Sequence, residues 1–142
     1  MRITTWNINS LNARLQHALD WLAANPVEVL ALQELKLTDD KFPRDALRQA
    51  GYEAAVFGQK TYNGVALLTR GAVADVTRNI PGFADESARV IAGTVEGPGG
   101  PLRVGFSADV LFQAQGRRVD KIVKVLSVDL VGDPARGGRF VR

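Results

Sequence analysis

Two residues of this chain stand where their side chains could do chemistry, Glu34 and Asn7. Glu34 comes just after the apolar run Val29-Leu30-Ala31-Leu32 and Gln33, so its carboxylate lies at the mouth of a buried strand. A carboxylate there costs desolvation unless a cation or hydrogen-bond donors satisfy it. Asn7 ends an earlier β-rich run, Arg2-Ile3-Thr4-Thr5-Trp6-Asn7-Ile8, in the same way. If the two runs are adjacent parallel strands, amide and carboxylate meet at the carboxyl ends, where such sheets present their ligands. An amide beside a carboxylate is a hard oxygen site. It suits Mg²⁺, which keeps several waters and takes substrate phosphate oxygens, and it does not suit a soft metal. The plain alternative is that Glu34 pairs with Lys36 or closes a loop.

The elements that must position these groups follow from periodicity and breakers. Residues 2–8 are β-branched and aromatic and predict a strand. Asn9 or Ser10 is suited to cap a helix. Leu11, Leu15, Ala18, Leu19 and Leu22 then fall on one helical face, and Asn25-Pro26 stops it. Val27 to Leu32 is apolar except for Glu28, the pattern of a strand covered on both faces. Asp39-Asp40 is read as starting and capping a short helix over residues 43–50, with Gly51 at its C-terminal end. Strands are expected at Tyr52–Phe57, Val65–Thr69 and Arg89–Val95. The last meets Leu102–Val104 across Gly97-Pro98-Gly99-Gly100. Residues 122–131 fit a strand and a helix nearly equally. The order β-α-β-α-β-β-β-β predicts an α/β fold of sheets covered by helices.

Composition narrows the classes. The chain has 142 residues, one domain's worth, and no cysteine, which excludes disulfides, thiolate nucleophiles and Cys-ligated zinc. No run approaches 18 apolar residues and no signal-peptide pattern opens the chain, so no membrane partner is expected and the default location is the cytoplasm. Residues 1–103 carry 11 basic and 11 acidic side chains, and residues 104–142 carry 7 and 4, so the whole net charge of +3 lies in the tail. That basic excess is read as a solvated surface. Arg117, Arg118, Lys121 and Lys124 could touch phosphate, but only Phe112 and Phe140 stand near them to stack on bases. His17 falls beside the apolar stripe and is expected on the helix surface, and Trp6 and Trp21 are expected to pack in the core.

The segments Thr5-Trp6-Asn7-Ile8-Asn9-Ser10-Leu11 and Leu30-Ala31-Leu32-Gln33-Glu34-Leu35-Lys36 resemble the bacterial exonuclease III family of DNA-repair nucleases, within the endonuclease–exonuclease–phosphatase superfamily. The likeness continues through Thr38 to Pro43, Gly58 to Ala66, Ile80 to Phe83 and Arg89 to Ala92, with Glu28 where the family usually carries Asp. It covers residues 1–103. The resemblance implies the N-terminal part of a four-layer α/β sandwich. It also implies Mg²⁺-dependent hydrolysis of phosphodiesters in double-stranded DNA, at abasic sites and 3′ ends, with Mn²⁺ as a substitute metal. On that reading Glu34 is the metal ligand and Asn7 stands beside it at the metal's water shell or the phosphate. Lys36, Tyr62 and Asn63 approach the same face as DNA contacts.

Beyond Val104 the likeness stops. The family's Tyr-x-Pro-Asn-Gly, Asp-x-Asn and Ser-Asp-His motifs are not found, and Gly132-Asp133 is followed by Ala135 where the family has Asn. Residues 104–142 are therefore set apart as a divergent basic tail, and this chain is expected to lack part of the active site. The alternative is a truncated or frame-disrupted product that retains only metal or DNA binding. With much of the second sheet expected to be missing, one apolar sheet face is expected to be exposed unless residues 104–142 or another chain cover it, so reduced stability or self-association is expected.

Overall fold

The computed structural model describes residues 1–82, 85–115 and 118–132, with side chains described through Gly105. The elements are β1 (Ile3–Asn7), α1 (Leu11–Ala24), β2 (Val29–Gln33), α2 (Arg44–Gln49), β3 (Glu53–Phe57), β4 (Val65–Thr69), β5 (Ala74–Arg78), β6 (Ile91–Gly97), β7 (Gly100–Gln115) and β8 (Arg118–Gly132). They form two four-stranded sheets, ordered β1-β2-β4-β3 and β5-β6-β7-β8. β1 and β2 run parallel with Asn7 opposite Gln33, and every other pairing is antiparallel.

Strand alternation divides the core in two. Leu30 and Leu32 of β2, Ala66 and Leu68 of β4 and Val56 of β3 face Leu11, Ala18 and Leu22 of α1 and Leu47 of α2. Val29, Ala31, Ala55, Val65 and Leu67 face the other way and meet Ile91, Val95 and Val104 of the second sheet. Trp6 and Trp21 pack edge to face at the border of the helical cluster, with centroids 6.1 Å apart. His17 is exposed on α1.

Several expectations are corrected. The second sheet is present as four strands, so the inner face of the first sheet is covered and the described residues build three layers, helices, sheet and sheet. β7 runs through residue 104 without a break, and residues 118–132 settle as a strand. β5 went unread because Ala74-Asp75-Val76-Thr77-Arg78 is short, polar and at a sheet edge. The outer face of the second sheet is polar where described: Arg103 donates to Asp75 O, Thr77 Oγ1 and Thr94 Oγ1. Ser10 holds the N-cap position of α1 without a side-chain cap bond. Asp39 does not cap α2; it sits in a 3-10 turn and accepts the Gly58 N–H at the end of β3. Gly51 does end α2, in left-handed backbone (φ 86°), with Gly51 N donating to Arg48 O and Tyr52 N to Leu47 O. Phe83, Arg117, Asp133, Ala135 and Phe140 lie outside the described residues, as do the side chains of Phe112, Arg118, Lys121 and Lys124.

The two outer strands of the first sheet differ. The carbonyls of β3 at Ala54 and Val56 accept from the guanidinium groups of Arg44 and Arg78, at 2.8–3.0 Å. Charged caps of this kind block edge-to-edge pairing. No described side chain caps the outer edge of β1 in this way.

Two outcomes follow. Leu67→Ala, at a fully buried contact between the sheets, should cost about 2–5 kcal/mol, read as a lower denaturant midpoint. Removing both edge caps (Arg44→Ala with Arg78→Ala) should add concentration-dependent association beyond that of the unchanged chain. Light scattering would read it, and an unchanged mass would refute the role given to these arginines.

Candidate functional site

The site forms where β1 and β2 end. Leu35 is fully buried, and its two neighbours Glu34 and Lys36 both take left-handed backbone at φ 54°. Single left-handed non-glycine residues are uncommon and need surrounding structure to hold them. Here the support is a set of backbone hydrogen bonds. Glu34 O and Leu35 O accept the N–H groups of Ser10 and Leu11 at the start of α1. On the other side, Leu35 N and Lys36 N donate to Gly64 O and Asn63 O, both at 3.1 Å. Asn9, Ser10, Thr61 and Asn63 add further positive φ values around the same mouth. Gly64 (φ 84°) lies so close to Leu35 that an added Cβ would stand 3.0 Å from the Leu35 Cβ.

On this frame Asn7 Nδ2 donates to Glu34 Oε1 at 3.0 Å. Lys36 Nζ lies 3.3 Å from Glu34 Oε2 and also donates to Asn9 Oδ1. Asn7 Oδ1 accepts the Asn9 N–H at 3.2 Å. The strand ends therefore bring Asn7, Glu34 and Lys36 together, and the plain alternative, a Glu34–Lys36 pair, is realised in the same arrangement. The Asn7 amide, and after it the Lys36 ammonium, hold the Glu34 carboxyl below the usual carboxylate range.

Tyr62 is 69% exposed on the loop before β4, in the segment that reaches Lys36. Asn63 serves that loop through its carbonyl on Lys36 N, while its side-chain amide donates to Gln59 Oε1 at 3.2 Å. Two contributors were missed. Gln59 Oε1 also accepts the Ala88 N–H at 2.8 Å, tying the loop to the segment before β6. Asn9, read as a helix cap, instead offers its side chain to Lys36. Both stand in segments that carry the family resemblance, but their partners are distant in sequence, so spacing alone could not find them.

The donor set suits a hard cation that keeps most of its water. The Glu34 side chain is 42% exposed and supplies one carboxylate, and the Asn7 oxygen retains a free lone pair. Among the described residues no group of three or more Asp, Glu or His gathers into an all-protein cage.

The hydrogen bond to Asn7 has a pH signature. A carboxyl lowered in the folded chain contributes stability above its ordinary value and loses it as pH falls through the lowered one. Asn7→Ala should therefore raise the Glu34 titration midpoint, read by carboxyl ¹³C NMR. Its stability deficit near neutral pH should shrink in acid. A Glu34 titration that does not move would sink this assignment.

Residues 4–135 match the family described as Endonuclease/Exonuclease/phosphatase. Exodeoxyribonuclease III of Haemophilus influenzae is 33% identical over 105 residues, 73% of this chain and 39% of that protein. The 3′ phosphatase NExo from Neisseria, in a structure bound to product DNA hairpin, aligns at 50% identity with a TM-score of 0.66, covering 71% of this chain and 38% of that one. An AP endonuclease from Archaeoglobus fulgidus aligns at 31% identity and a TM-score of 0.62, over 66% and 36% of the two chains. The chain thus spans under two fifths of the length of each. With the family match running from β1 to beyond β8, the chain belongs to the endonuclease/exonuclease/phosphatase family.

Proposed function

We propose that this chain carries the metal-holding part of a Mg²⁺-dependent DNA phosphodiesterase site of the exodeoxyribonuclease III type, acting on duplex DNA at abasic sites and 3′ ends. The observation that carries this reading is the Asn7–Glu34 pair, 3.0 Å apart at the carboxyl ends of two parallel strands and beside Lys36. Glu34 would hold the ion, with Mn²⁺ as a substitute, and Asn7 would orient the carboxylate. A metal there supplies positive charge to phosphate oxygens as negative charge grows on them. Lys36 adds a cation at the same mouth. Tyr62 offers an exposed ring on the loop whose Asn63 carbonyl holds Lys36 N, suited to stacking on DNA. The names of the relatives, a nuclease, a 3′ phosphatase with DNA and an AP endonuclease, support the substrate class.

The test is nicking of a duplex with one abasic site, in Mg²⁺ and in EDTA, beside Glu34→Ala. If the chain completes a working site, cleavage is Mg²⁺-dependent and Glu34→Ala lowers it at least about a hundredfold, as when a central catalytic group is removed. A second reading, metal and DNA binding without turnover, is favoured by one observation: among the described residues no group of three or more Asp, Glu or His gathers around a metal position. Binding of Mg²⁺ at Glu34 without cleavage would select it. Neither binding nor cleavage would overturn both.

A further inference from the structure

We propose that Lys36 is a tethered stand-in for the metal: its ammonium occupies the Glu34 carboxylate until a divalent cation displaces it, and is then released as a phosphate-binding charge at the same mouth. This rests on the reading of Glu34 as metal ligand.

The two carboxylate oxygens of Glu34 are in different states. Oε1 accepts from the Asn7 amide, which is neutral and can stay while a metal binds. Oε2 faces the Lys36 ammonium at 3.3 Å, a unit positive charge where a divalent ion would have to approach. Two cations a few ångströms apart on one carboxylate repel each other, and the divalent ion wins only by displacing the single charge. Lys36 is built to yield without leaving. Its backbone is fixed by Asn63 O and left-handed φ, while its four-carbon stem is flexible. Its ammonium already has a second acceptor, Asn9 Oδ1, on the loop after β1. Displaced from Glu34, it keeps that contact and remains beside the site.

The consequence is a coupling between two events at one carboxylate. Metal entry frees a cation that the incoming phosphate can use, and without metal the carboxylate is neutralised by the chain itself.

The experiment uses the full chain with Mn²⁺ as probe, titrated by electron paramagnetic resonance, in the wild type, Lys36→Met, Lys36→Arg and Glu34→Gln. Lys36→Met should bind Mn²⁺ roughly three- to tenfold more tightly, on the scale set by an exposed ion pair plus repulsion from a divalent ion. Lys36→Arg, which keeps the charge, should stay within about twofold of the wild type, and Glu34→Gln should lose the site. Acylation of the Lys36 amine, mapped by mass spectrometry, should rise on adding Mg²⁺ to the wild type and not to Glu34→Gln. If no variant binds Mn²⁺, the metal reading falls and this inference with it. If the wild type binds through Glu34 but Lys36→Met binds equally or more weakly, only the stand-in role is overturned.

Discussion

The arrangement depends on one residue that does no chemistry, Leu35. Its side chain is sunk completely in the cluster under α1, while Glu34 and Lys36 on either side turn back in left-handed backbone. A buried leucine side chain is worth about 1.5–3 kcal/mol relative to exposure, enough to offset local backbone strain of the same order. With Leu35 anchored, its neighbours are left at the mouth, and the carbonyls of Glu34 and Leu35 are free to receive the first N–H groups of α1. The helix start, the strand end and the loop before β4 are thereby joined at three consecutive residues.

Rigidity beneath the site comes from β2 and β4. Both are covered on both faces, by helices on one side and the second sheet on the other, and all five residues of β4 are buried. A strand held this way has its register set twice, because a one-residue slip would exchange two different sets of partners. The positions of Gln33 and Glu34 relative to Asn7 inherit that register. Gln33 strengthens it from the side, its amide reaching Thr5 Oγ1 across the parallel pair.

Much of this was legible in the residues. The continuous apolar run into Gln33-Glu34 announced a two-faced strand, and its likeness to the ending of β1 announced the meeting of Asn7 with Glu34. What stayed hidden had physical causes. β5 carries little apolar signal because an edge strand need bury only part of one face. Residues 122–131 satisfied two periods at once, and only pairing with β7 decides between them. Asp39, Asn9 and Gln59 act on backbone or side chains far along the chain, and a local reading assigns such polar residues to the nearest helix end.

The guarded edge of β3 gives the first sheet a direction of growth. Its Ala54 and Val56 carbonyls are already committed to Arg44 and Arg78, so β3 is the closed side of the ladder. β1 is the other end of that ladder, and its last residue is Asn7. Any strand that extends this sheet must therefore arrive next to the amide that holds Glu34. Extension of the scaffold and delivery of new side chains to the site become one event, governed by the same register.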